Sequence, residues 1–156
     1  MYRIGLTGFS AAALVAGVLL SGFGAVAQED VVSKRSEAMK AAGKNMFGTL
    51  GQMSRDRKPY EQAEVDAALT ELEKIGGNIG ALYPESSKGV AGKGDYSASP
   101  KVWDDKAGFE ARIADFNKAV TDQKGKITSL DQLKAAFPAM SRTCSGCHET
   151  FRLKNG

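Results

Sequence analysis

Residues 128–152 read TSLDQLKAAFPAMSRTCSGCHETFR, and the organisation of the whole chain follows from this stretch. Leu130, Leu133, Phe137, Met140, Cys144, Cys147 and Phe151 recur at alternating spacings of three and four, which puts them on one face of a helix. Ser129 or Thr128 can cap its start. Pro138 removes one backbone hydrogen bond and crowds the preceding turn. The spacing therefore predicts either a helix kinked at Pro138 or a short turn that gives way there to the main helix.

Three upstream stretches carry the same periodicity. Val32, Arg35, Met39, Ala42, Met46, Thr49 and Met53 predict a helix from about 30 to 56, broken at Pro59. Val65, Leu69, Leu72, Ile75 (or Gly76), Ile79 and Leu82 predict a second from about 61 to 81. Pro84 opens a Gly- and Ser-rich segment up to Pro100, read as a surface loop. Trp103, Phe109, Ile113, Phe116 and Val120 predict a third helix from about 101 to 123, closed by Gly125. No run of alternating β-branched residues argues for a strand. Four amphipathic helices, with short connections at 57–60 and 124–128, predict an all-α antiparallel four-helix bundle.

The N-terminus stands apart. Residues 1–27, MYRIGLTGFSAAALVAGVLLSGFGAVA, have Arg3 near the start, an apolar middle and a small-x-small ending, Ala25-Val26-Ala27. This is the layout of a cleaved secretory signal peptide. The competing reading is an uncleaved anchor, but Ser10, Gly17, Ser21, Gly22 and Gly24 interrupt the apolar run and the cleavage signal follows it. The expectation is a periplasmic protein of residues 28–156, one domain, with no stable membrane insertion after cleavage. The chain has 21 Lys and Arg against 18 Asp and Glu, a net charge of +3, and only Arg3 of these lies in the expected leader. The cations are scattered, no segment is densely basic and no aromatic residues interleave with basic ones on a predicted sheet, so nucleic-acid binding is poorly supported.

Cys144-Ser145-Gly146-Cys147-His148 carries the chemistry. Two thiols three positions apart on a helix can add to the two vinyl groups of one haem, and the following histidine can turn its imidazole to the iron. The small residues between them leave room for the macrocycle. A lone CxxC could equally be a redox dithiol, a disulfide or half of a zinc site. Here the chain has two cysteines and one histidine in all, so a tetrahedral zinc site lacks an obvious fourth ligand. The expected cofactor is therefore one haem c, attached through Cys144 and Cys147 with His148 as proximal ligand.

The opposite axial position cannot be a second histidine, and a methionine thioether is the natural donor. Met140 shares the helix of His148 and cannot easily reach the far face. Met39, Met46 and Met53 have comparable claims from periodicity, and each could instead be a core-filling side chain. Arg35 sits one turn before Met39 on an otherwise apolar face. It either snorkels outward or pairs with a haem propionate.

These residues resemble the cytochrome c′ family of class II c-type cytochromes, most closely its low-spin, methionine-ligated electron carriers. The likeness rests on Arg35-x-x-x-Met39, on Val102-Trp103-Asp104-Asp105-Lys106-x-x-Phe109, and on Cys144-Ser145-Gly146-Cys147-His148-x-x-Phe151-Arg152. It spans essentially residues 29–154. The resemblance implies a left-handed four-helix bundle around the haem, with Met39 in the distal position, Arg35 near a propionate and Arg152 beside the proximal histidine. It also implies a possible homodimer through the first two helices. Some relatives leave the iron five-coordinate and bind nitric oxide or carbon monoxide.

The functional expectation is a one-electron carrier serving redox protein partners. A five-coordinate gas binder is the alternative. An enzymatic role is not expected, because no distal histidine is present to handle protons.

Overall fold

The computed structural model describes residues 22–92 and 94–155, with side chains from Asp30 onward. The expected leader falls largely outside the described residues; Gly22 to Ala27 form the start of the first helix. That helix, α1 (Gly22–Gly43), widens into a π-helical segment, Lys44–Leu50, and closes with one α-helical turn, Gly51–Ser54. Asp56 then turns the chain with a positive φ of 58°. The second helix, α2, spans Gln62–Asn78, α3 spans Lys106–Thr121 and α4 spans Leu130–Phe151. The four runs pack as an antiparallel bundle, with α2 against the π-helical segment, α3 against α2, and α4 against α3 and the end of the first run.

The apolar faces meet in one main core. Met46, Leu50 and Met53 come from the first run, Val65, Ala68, Leu69 and Leu72 from α2, Phe116 and Val120 from α3, and Leu133, Phe137 and Met140 from α4. Each large side chain here contributes about 1.5–3 kcal/mol by leaving water. In the second register the buried residue is Gly76, with Ile75 only half-buried. A Cβ on Gly76 would lie 1.9 Å from Asn117 Oδ1 and 2.9 Å from Phe116 Cε1, so glycine is what lets α2 and α3 approach so closely.

Two expectations about continuity are corrected. The third stretch divides into a helical turn, Lys101–Asp104, and α3, because Asp105 leaves helical geometry to cap the second piece by accepting from the Gly108 N–H at 3.1 Å. The helix also ends at Thr121, and Gly125 supplies the positive φ (70°) of the turn that follows. In α4, by contrast, the helix runs without a break through the exposed Pro138. Its cap is shared: Ser129 Oγ accepts from the Gln132 N–H, while Gln132 Oε1 accepts from the Thr128 N–H at 2.7 Å.

The 84–100 segment is more ordered than a surface loop. It contains a 3-10 turn, Glu85–Ser87, and a strand, β1 (Tyr96–Ala98). β1 pairs antiparallel with β2 (Arg152–Lys154), which follows α4 directly, in the register Tyr96↔Lys154. The Ser99 N–H donates to Phe151 O at 3.0 Å and the Asn155 N–H to Asp95 O at 2.8 Å. The segment is thereby strapped to the end of the helix that carries His148.

Candidate functional site

The cysteine pair lies at a boundary between two apolar clusters. Cys144 packs against the main core. Cys147 packs against a smaller cluster of Val102, Phe109 and Phe151, which Tyr83, Trp103, Ile113 and Ala98 surround. Ile79, at the end of α2, touches both clusters. Both cysteines are free thiols and half-buried. Burial pushes both thiols above their ordinary range, opposed at Cys144 chiefly by the Thr143 hydroxyl and at Cys147 by the Arg112 guanidinium. A raised pKa leaves both thiols mostly protonated and so poor nucleophiles for disulfide exchange.

His148 is half-buried, and burial, with the Arg152 charge second, lowers its proton affinity below the usual histidine range. A neutral imidazole is the form that can donate a lone pair to a metal. Arg152 itself is exposed on β2, where its guanidinium stacks 4.1 Å from the centre of the Tyr96 ring. Among the described residues no three His, Cys, Asp or Glu side chains come together as a metal site, so the zinc alternative has no ligand set.

Burial separates the four methionines. Met46 and Met53 are completely buried and Met140 is 1% exposed, all three inside the main core. Met39 is half-buried and belongs to neither cluster. Periodicity placed Met39, Met46 and Met53 on one face, but two of them are consumed as filler.

Arg35 does not snorkel. It is 7% exposed, with Nε donating to Leu82 O at 2.6 Å and Nη2 donating to the buried Ser87 hydroxyl. Ser87 Oγ in turn donates to Pro84 O at 2.7 Å. The guanidinium lies over the Tyr83 ring at 4.3 Å and over Trp103 at 5.7 Å. No carboxylate pairs with it among the described residues, and burial lowers its pKa. A buried cation with N–H donors to spare and no counter-ion is suited to an anionic group such as a carboxylate.

Tyr83 is the residue that sequence reasoning missed. Its ring meets Phe109 edge-on at 4.9 Å and Trp103 at 6.2 Å, and its hydroxyl is held protonated by burial while sensing both Arg35 and Cys147. Tyr83 and Cys147 pack against the same Val102, Phe109 and Phe151 cluster, so the ring joins the Arg35 corner to the Cys144–His148 stretch. Trp103 anchors the same corner by donating Nε1–H to Tyr83 O and Pro84 O, both at 3.2 Å.

The residues fit a haem c: two thiols on one helix face, a neutral imidazole beside them, apolar walls on both sides, and a buried guanidinium that no carboxylate among the described residues pairs with. Comparison with known proteins points the same way. The family model for cytochrome c′ matches residues 30–152. Cytochrome c-556 of Rhodopseudomonas palustris is 44% identical over 145 residues, covering 92% of this chain and 97% of that protein. The NMR-validated structural model of oxidised R. palustris cytochrome c556 superposes with a TM-score of 0.72 at 43% identity, covering 82% of this chain and 99% of the other. A nitric oxide complex of a variant cytochrome c prime from Alcaligenes xylosoxidans gives 0.70 at 26% identity, covering 81% and 97%. The agreement extends over nearly all of the folded chain and includes the bundle itself: this chain belongs to the cytochrome c′ family of haem c proteins.

Proposed function

We propose that the protein is a mono-haem, one-electron carrier in which Cys144 and Cys147 form the thioethers, His148 is the proximal ligand and Met39 the distal one. At the coarser level, family membership makes it a periplasmic haem c protein that carries electrons or binds a small gas and does not transform a substrate. The bound haem would supply an iron that cycles between two oxidation states. The chain's own part is to hold fixed donors in an apolar interior, which limits rearrangement on electron transfer. Arg35 would hold a propionate, and Arg152 would flank the proximal side. Residues 1–27 would be removed on export.

One observation carries the axial assignment: Met39 is the methionine of the first helical run that the core does not consume. A second reading draws more directly on the comparisons. A structural relative is a nitric oxide complex of cytochrome c prime, which favours a five-coordinate iron whose distal side takes nitric oxide or carbon monoxide. The ferric optical spectrum decides between them. A low-spin spectrum with the far-red sulfur-to-iron charge-transfer band, lost in Met39→Ala, is the expected result. A high-spin spectrum that changes on adding nitric oxide replaces the carrier by the gas binder.

A further inference from the structure

The first helical run is held at two places, and Met39 lies between them. Upstream, Arg35 is pinned to Leu82 O and Ser87 Oγ. Downstream, Met46, Leu50 and Met53 are fully buried in the main core. Between the anchors the helix changes width. The Gly51 N–H reaches back to Met46 O, one residue further than in an α-helix, and the wide geometry covers Lys44–Leu50. Asn45 Nδ2 reinforces the junction by donating to Ala41 O at 2.9 Å. Phe47, inside the wide turn, rests edge-on against Phe137 of α4 at 6.2 Å, so the turn touches the helix that bears the attachment motif.

Gly48 sits in this turn without a packing reason. It is exposed, its φ is not positive, and an added Cβ would meet only Lys44 Cγ at 3.8 Å. Glycine within a helix is unfavourable relative to alanine, and what it offers in return is backbone freedom. A wide turn amounts to one extra residue in the helix. Closing it would turn everything upstream, Met39 and Arg35 included, by about 100° and shift it by about 1.5 Å.

We infer that the wide turn Lys44–Leu50, kept open by Gly48, is the positioning element that sets how closely Met39 approaches the iron. This rests on the reading that Met39 faces the distal side. It makes the choice between an occupied and an open distal position a property of helix register, not of the methionine alone.

The test uses a matched pair in the haem-loaded full chain. Gly48→Ala and Gly77→Ala both add a Cβ at an exposed helical glycine, and at Gly77 it meets nothing within 4 Å. Gly77→Ala should raise the melting temperature, whereas Gly48→Ala should not, because closing the wide turn would pull Arg35 away from Leu82 O and Ser87 Oγ. Only Gly48→Ala should change the distal side, with association of carbon monoxide to the ferrous protein faster than in the wild type, an acceleration that Gly77→Ala does not share. Any six-coordinate ferric signal should weaken in parallel. Met39→Ala, measured alongside, keeps the two ideas apart. If it speeds carbon monoxide binding while Gly48→Ala behaves like Gly77→Ala, the wide-turn role is overturned and the Met39 reading stands. If Met39→Ala also leaves binding unchanged, both fall.

Discussion

The guanidinium of Arg35 lies 4.3 Å above the Tyr83 ring, a cation resting on an aromatic face 48 residues further along the chain. The stack, the bond to Leu82 O and the bond to Ser87 fasten the first helix to the segment that follows α2. Arg35→Leu removes charge-assisted hydrogen bonds that are each worth about 1.5–3 kcal/mol and leaves Ser87 Oγ buried with one partner fewer. The expected result is a loss of up to about 3–6 kcal/mol in urea unfolding, reduced by about 1.5–3 kcal/mol for the leucine side chain buried in its place. Arg35→Lys should recover only part of it, because an ammonium cannot lie flat on the ring while reaching both acceptors. Full recovery by lysine would show that charge alone, and not the planar fork, holds this corner.

Tyr83 makes a prediction in alkali. Burial raises its pKa above the usual value near 10, Arg35 pulls it down, and burial dominates. A group that is harder to ionise when folded contributes stability that is complete below the unfolded pKa and is lost as pH rises through the folded one. Unfolding free energy should therefore fall with pH above about 10, and Tyr83→Phe should flatten that slope. In ultraviolet titration, the wild-type minus Tyr83→Phe difference should appear above the ordinary tyrosine range. A difference centred at the ordinary value would mean that water reaches the hydroxyl.

Gly76 and Gly77 are neighbours on α2 with opposite roles. An added methyl at Gly76 collides with Asn117 and Phe116, whereas one at Gly77 meets nothing within 4 Å. Gly76→Ala should push α2 from α3 and cost about 1–3 kcal/mol. Gly77→Ala should stabilise by about 0.4–1 kcal/mol. Paired urea titrations check both signs. Equal effects would place the two glycines in equivalent surroundings, against the close helix contact described above.

Much of the bundle was legible because its faces obey a three-and-four spacing, and the proposed attachment site could be named because five consecutive residues, Cys144 to His148, carry it. Depth was not. The same spacing that aligned Met39, Met46 and Met53 says which face they occupy and nothing about which are covered. The wide turn also escaped notice, since Met46, Leu50 and Met53 keep an ordinary helical spacing across it. Tyr83 lies at the edge of, and β1 within, a segment rich in glycine, serine and proline, where no period exists to read. Their roles come from partners far along the chain: Arg35 for Tyr83, and the residues after α4 for the strand. Arg35 was the exception, a charge on an apolar face that had to be explained by burial with a partner or by escape to water.

The methionines offer the sharpest separation of structure from function. Met46 is fully buried among Leu50, Leu69 and their neighbours, so Met46→Ala should cost about 2–5 kcal/mol. It should leave the haem spectrum of the folded protein unchanged. Met39 is half-buried outside both clusters, so Met39→Ala removes little packed surface and should cost less than Met46→Ala. If Met39 binds the iron, its replacement should nonetheless abolish the sulfur-to-iron band. The two variants are thus expected to show opposite profiles, one in urea unfolding and one in the optical spectrum. A spectral change in Met46→Ala at a urea concentration where the fold is intact would move the ligand assignment one helical segment downstream. It would also make the buried face of the wide turn, rather than the helix before it, the distal wall.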